Sequence, residues 1–128
     1  MLDASGSIDS AGFEQMKLLV SGIVGALDVE GGRARVGLLT YSSSVDAQFN
    51  LSTYSTRADV QAATAELRYS AGRTNTADAL AHVRSVMLAA AAGARDDAPN
   101  VVVVMTDAGS NDKQATLVSI TSCHISNL

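Results

Sequence analysis

Four consecutive valines followed by a methionine, Val101 to Met105, constrain this chain more than any other stretch. β-Branched side chains lose rotamer freedom in a helix and suit a pleated surface. An unbroken apolar run of this length reads as a strand covered on both faces, the situation of a parallel sheet packed between helices. A polar loop over 93–100, which holds the only proline, Pro99, precedes the run, and Thr106-Asp107 follows it.

The rest of the chain alternates as such a sheet requires. In 11–29, Phe13, Met16, Val20, Ile23, Val24 and Leu27 recur three and four apart, which predicts a helix with one apolar face. Ser10 is its expected N-cap, Glu14 favours its start through the dipole, and Gly31-Gly32 is its expected stop. Residues 34–41, with the apolar run Val36 to Leu39, predict a strand buried on both faces. A turn at Ser42 to Ser44 leads into 45–51, where Val45, Ala47 and Phe49 alternate with Asp46, Gln48 and Asn50, as in an edge strand. Thr56 should cap a helix over 57–67 that turns Val60, Ala63 and Leu67 inward. A loop at 69–73 holds Gly72. A further helix over 76–92 should bury Leu80, Val83, Met87 and Ala90, with Ala89–Ala92 as its end. The expected fold is a doubly wound α/β sandwich with a mostly parallel sheet and helices on both faces.

At 128 residues, without repeat or linker, the chain reads as one domain over 1–128. Hydrophobic residues make up 47% and aromatics only 4%, so an aliphatic core must carry the fold. The net charge is −4, and Lys and Arg are scattered apart from Arg33 and Arg35, which argues against a nucleic-acid partner. No run approaches the roughly 18 apolar residues of a membrane span. Met1-Leu2-Asp3 has neither the basic nor the apolar region of a signal peptide. The single cysteine, Cys123, has no partner for an internal disulfide and reads as a small buried or semi-exposed residue. His82 and His124 have no metal-ligand partner at useful spacing and read as surface residues; Met16 and Met87 read as core.

Three loops hold the polar groups of interest: Asp3-Ala4-Ser5-Gly6-Ser7, Gly72-Arg73-Thr74-Asn75-Thr76 and Thr106-Asp107-Ala108-Gly109-Ser110. Asp107 follows the valine run and Asp3 ends a short apolar stretch. In open α/β sheets ligands bind beyond the carboxyl ends of strands, so the two carboxylates should converge there. Oxygen-rich loops suit hard cations such as Mg²⁺, and neutral hydroxyl ligands would leave the metal electrophilic. Plainer roles exist for each group. Asp3, Ser5 or Ser7 can cap the first helix, Thr74 or Asn75 the third, and Asp107 can be a turn residue.

Asp-x-Ser-x-Ser at Asp3, Ser5 and Ser7, Gly-x-Thr ending at Thr74, and Thr-Asp ending at Asp107 resemble the metal-ion-dependent adhesion site of von Willebrand factor A domains. Arg35-Val36-Gly37 to Tyr41-Ser42-Ser43, Gly72 to Ala79, Ala92 to Asp96 and Val101 to Asp107 resemble the matrilin and non-fibrillar collagen branch of that family. The likeness runs from Leu2 to about Leu117. It implies direct ligation of a cation, Mg²⁺ or else Mn²⁺ or Ca²⁺, by Ser5, Ser7 and Thr74. Asp3 and Asp107 would act mostly through water, or directly when no partner is bound. It further implies a protein ligand that supplies an Asp or Glu carboxylate, with collagen or another matrix protein as the expected class, and an extracellular setting within a larger protein. Ala108 departs from the pattern, which often has glycine there; here Gly109 comes one later.

Catalysis finds little support. Neither Gly-x-Ser-x-Gly nor a phosphate loop is present, and Ser5 stands where a haloacid dehalogenase-type phosphotransferase has a second aspartate. The alternatives are a metal-dependent hydrolase or phosphotransferase using the same carboxylates, and an intracellular A-type assembly module. The resemblance also calls for a full strand before Asp3 and for a strand and helix after a helix near Gln114–Leu117. The expectation is therefore a domain truncated at both ends, with an uncertain tail at 118–128.

Overall fold

Leu2–Asp3 forms β1, which pairs in parallel with β2, Leu38–Tyr41, in the register Leu2 with Thr40 and Asp3 with Tyr41. β2 turns through Ser42–Ser44 into β3, Val45–Phe49, its antiparallel neighbour, giving the order β1-β2-β3. This computed structural model describes residues 1–107. Ala108, the helix expected near Gln114–Leu117, Cys123, His124 and the tail 118–128 lie outside the described residues.

β2 is buried at every position, as a strand covered on both faces should be, but it starts at Leu38 rather than at residue 34. β3 lies at the edge. Its alternation is weaker than the sequence suggests: Phe49 is buried and Ala47 exposed. The register slips between Leu38, opposite Phe49, and Leu39, opposite Ala47. A bulge of this kind lets two residues of one strand face one of its partner and re-aims the side chains.

The valine run departs furthest from expectation. It forms one isolated parallel bridge, Leu2 with Met105, rather than a strand, and Val101, Val103 and Val104 are exposed. The Asp3 amide donates to the Met105 carbonyl at 2.9 Å, and the Met105 amide to the Met1 carbonyl at 3.1 Å. The Met1 amine donates to the Val103 carbonyl at 2.8 Å. The run nevertheless delivers Thr106 and Asp107 to the carboxyl end of β1.

α1, Ser10–Gly25, is capped by Asp9, whose side chain accepts from the Gly12 amide at 2.7 Å; Ser10 is already inside the helix. Glu14 lies beyond the first turn and pairs with Lys17 at 2.8 Å. The helix stops well before Gly31. Asp28 accepts the Gly31 amide through its side chain and the Ala34 amide through its carbonyl, and this local turn competes with helix. Phe13, Val20 and Val24 face inward, Met16 and Leu27 are half-buried, and Ile23 is exposed.

α2, Arg57–Ala65, has the expected Thr56 cap, which accepts from the Asp59 amide. Buried Lys17 ties it to α1 by donating to the Ala65 and Leu67 carbonyls at 2.9 and 3.3 Å. α3, Thr76–His82, is capped by Asn75 and continues into a π-helical turn, Val83–Met87. The wider turn shifts the helical phase, and extended Ala89 breaks the helix before a 3₁₀ turn at Ala90–Ala92. Val83 and Met87 therefore stay buried, whereas Ala90 is exposed and Ala92 takes the inward place. His82, expected on the surface, is half-buried, and its Nε2 has no hydrogen-bond partner among the described residues.

Leu2, Ala4 and Leu38 pack on one face of the sheet with Phe13, Val20, Val24, Val60 and Leu67 from the α1–α2 side. Leu39 and Tyr41 pack on the other with Ala79, Val83 and Met87. Helices thus cover both faces, as the alternating sequence predicts. No helix among the described residues is long and apolar enough to cross a membrane.

Candidate metal centre

The three loops named from the sequence meet beyond the carboxyl ends of β1 and β2. Asp3 ends β1 and is fully buried. Its carboxylate accepts the Ser5 amide at 2.8 Å on one oxygen and the Thr106 hydroxyl at 2.6 Å on the other. These bonds fold the loop back, so Asp3-x-Ser5-x-Ser7 is a turn and not an extended segment. The turn brings the Ser5 and Ser7 hydroxyls to 3.1 Å of each other. Ser7 then donates to the Asp107 carboxylate at 3.0 Å. Asp3, Ser5, Ser7 and Asp107 are therefore joined, with Thr106 closing the circuit.

Thr74 approaches through its loop. The Gly6 amide donates to the Gly72 carbonyl at 2.8 Å, and the Asn75 amide to the Ser42 carbonyl at 2.9 Å, which pins both sides of Thr74. Gly72 has a φ of +105°, a left-handed conformation that favours glycine. A Cβ there would lie 2.7 Å from the Ser43 hydroxyl, so the glycine of Gly-x-Thr has a steric reason. Thr74 is buried, and its hydroxyl makes no hydrogen bond among the described residues. The plainer cap roles fall elsewhere, to Asp9 for α1 and to Asn75 for α3.

Asp3, Ser5 and Thr74 are buried, while Ser7 and Asp107 are exposed. Among the described residues no lysine or arginine pairs with Asp3 or Asp107. A buried carboxylate held only by neutral donors is costly unless a positive charge compensates it. The donor set is all oxygen, and no group of three or more His, Cys, Asp or Glu gathers among the described residues. Such a set fits a hard, partly hydrated cation better than a nitrogen–sulfur zinc site.

Several neighbours escaped the sequence reading. The Tyr69 hydroxyl donates to the Ser5 carbonyl at 3.2 Å, and Ser70 donates to the Ser42 hydroxyl at 3.1 Å. Tyr41, beside Asp3 in the register, is buried, and its hydroxyl makes no hydrogen bond among the described residues, with the Thr76 and Thr106 hydroxyls near it. Burial pushes its pKa up, and the Asp3 and Asp107 carboxylates add to the shift. Thr106 was legible as the neighbour of Asp107; Tyr41 and Tyr69 depend on strand register and loop path, which spacing does not encode.

Residues 1–123 match the von Willebrand factor type A domain family. The chain is 38% identical over 112 residues to matrilin-1 of Homo sapiens, covering 88% of this chain and 23% of that protein. It is 34% identical over 120 residues to the collagen alpha-1(XX) chain of Homo sapiens, covering 94% of this chain and 9% of that protein. It thus spans less than a quarter of either relative. A solved structure of proximal thread matrix protein 1 from the mussel byssus superposes with a TM-score of 0.88 at 25% identity, over 96% of this chain and 33% of that one. A second structure of that protein, described as having a zinc-occupied MIDAS motif, superposes with a TM-score of 0.87 at 24% identity, over 96% of this chain and 34% of that one.

Proposed function

This chain belongs to the von Willebrand factor type A domain family, and from that premise we propose that it is a divalent-cation-dependent protein-binding module of the extracellular matrix. The observation that carries this reading is the Ser7–Asp107 hydrogen bond, which closes Asp3, Ser5, Ser7 and Asp107 into one oxygen cluster against the Thr74 loop.

In this reading Ser5, Ser7 and Thr74 hold the cation directly, and Asp3 and Asp107 hold it mostly through its water. Mg²⁺ is the expected ion, since it accepts octahedral oxygen ligands and keeps several waters. With neutral hydroxyls as the direct ligands, net positive charge remains at the metal. The exposed Ser7 and Asp107 leave room for an incoming carboxylate, and a cation with an open position favours an anion. The partner therefore supplies an Asp or Glu side chain. The matrilin and collagen relatives support a matrix protein, collagen among them, as the class of partner, and an extracellular setting within a larger protein. The zinc-occupied site of the mussel byssus protein supports cation binding at this place in the fold.

We read the site as one of binding and not of turnover. Ser7 donates to a carboxylate, and among the described residues no histidine or lysine bonds either serine as a general base. Retention of matrix proteins on the immobilised chain tests the proposal. Retention should require Mg²⁺, vanish with chelator, return on adding Mg²⁺ back, and be absent with Asp107→Ala. Equal retention by that variant in chelator, or turnover of phosphate esters abolished by the same substitution, overturns it.

A further inference from the structure

We propose that Tyr41 is a positioning residue of the metal centre, its phenol oxygen accepting a hydrogen bond from a water on a bound cation while its O–H donates to a neighbouring carboxylate oxygen. This rests on the cation reading above. Asp3 and Tyr41 are register partners in adjacent parallel strands, so their side chains leave the same face of the sheet. The Tyr41 ring packs with Leu39, Ala79, Val83 and Met87, and the residue is 1% exposed. Its carbonyl accepts the Ala4 amide at 2.8 Å, which fixes Tyr41 to the loop carrying Ser5.

The ring is accounted for by packing, but the hydroxyl is not. It is sealed from solvent without a hydrogen-bond partner among the described residues, with Asp3 across the strand register and the Thr76 and Thr106 hydroxyls near. Buried phenol hydroxyls nearly always find a partner, and phenylalanine would fill the same apolar space without leaving one unsatisfied. Tyr69 offers the contrast: it approaches the same cluster with its hydroxyl already bonded to the Ser5 carbonyl. The bond that Tyr41 lacks is one that a hydrated cation would provide, because a metal-bound water is a strong donor and the phenol oxygen can accept from it. Groups that orient metal ligands from outside typically change affinity by about 10–100-fold.

The test compares the wild type with Tyr41→Phe and Tyr69→Phe, using Mn²⁺ as the probe and free Mn²⁺ read by electron paramagnetic resonance. Tyr41→Phe should weaken Mn²⁺ binding about 10-fold, while its melting temperature in chelator stays level or rises. The chain has no tryptophan, so tyrosine absorbance is read without interference. Mn²⁺ should perturb that absorbance in the wild type and in Tyr69→Phe, but not in Tyr41→Phe. If Tyr41→Phe binds Mn²⁺ as the wild type does and melts lower in chelator, the hydroxyl serves packing alone and the proposal falls. No absorbance change in Tyr69→Phe on Mn²⁺ binding overturns it without reference to the Tyr41 variant. If the wild type takes up no Mn²⁺, the cation reading itself fails and takes this inference with it.

Discussion

Ser7 donates to Asp107 across 3.0 Å, joining residues one hundred positions apart. The bond brings the exposed end of the first loop to the segment that follows the valine run. Asp3 and Thr106 make the matching contact on the buried side, at 2.6 Å. The cluster is thus pinned at both ends by side chains from the two ends of the described chain, and each can be altered separately.

Asp3→Asn removes the buried charge, keeps one oxygen for the Ser5 amide and turns its NH2 toward Thr106, whose hydroxyl can accept in place of donating. Cation affinity should fall on the order of 10–100-fold. Stability in chelator should change by less than about 1 kcal/mol, because an uncompensated buried charge disappears along with its interactions. Paired metal titration and thermal melting check both halves. A large loss of stability with affinity unchanged would make Asp3 a purely structural residue.

Thr74→Ala should weaken the cation about 10-fold or more with little effect on the cation-free fold. The Thr74 hydroxyl makes no hydrogen bond among the described residues, and the loop is held by backbone contacts of its neighbours. Melting in chelator and in excess Mg²⁺ separates the two effects: the wild type should gain stability from Mg²⁺, and the variant should gain less.

Lys17→Met probes the scaffold instead. The buried ammonium holds the Ala65 and Leu67 carbonyls at the end of α2, and methionine of similar length leaves both without that donor. A loss of about 1–3 kcal/mol follows from stranding buried acceptors. Denaturant unfolding measures it, and cation affinity in the folded protein should remain that of the wild type.

Much of the site was legible because its chemistry is local. Asp3, Ser5 and Ser7 share one short loop, and Asp107 follows an apolar run that reaches the sheet. What could not be read depends on neighbours distant in sequence. The valine run has the composition of a buried strand, yet among the described residues only Met105 of the run forms a bridge, and pairing with a distant segment is not written in local composition. The helix over 76–92 has a sound apolar period until the π-helical turn at Val83–Met87 alters its phase, which no spacing of apolar residues announces. Asp9 rather than Ser10 caps α1, a one-residue choice between two good capping types. Tyr41 became part of the site only once the strand register set it beside Asp3.

Asp3, Ser5, Ser7, Thr74 and Asp107 are proposed to hold one divalent cation together. Calorimetric titration of Mg²⁺ into the wild type and into Asp107→Ala, at one ionic strength and after chelator treatment, decides whether they do. The wild type should take up one Mg²⁺ saturably and the variant none measurably, because neutral hydroxyls and a single remaining carboxylate cannot offset the dehydration of Mg²⁺. Equal affinity in the two proteins, or no saturable uptake by the wild type, would contradict the proposal.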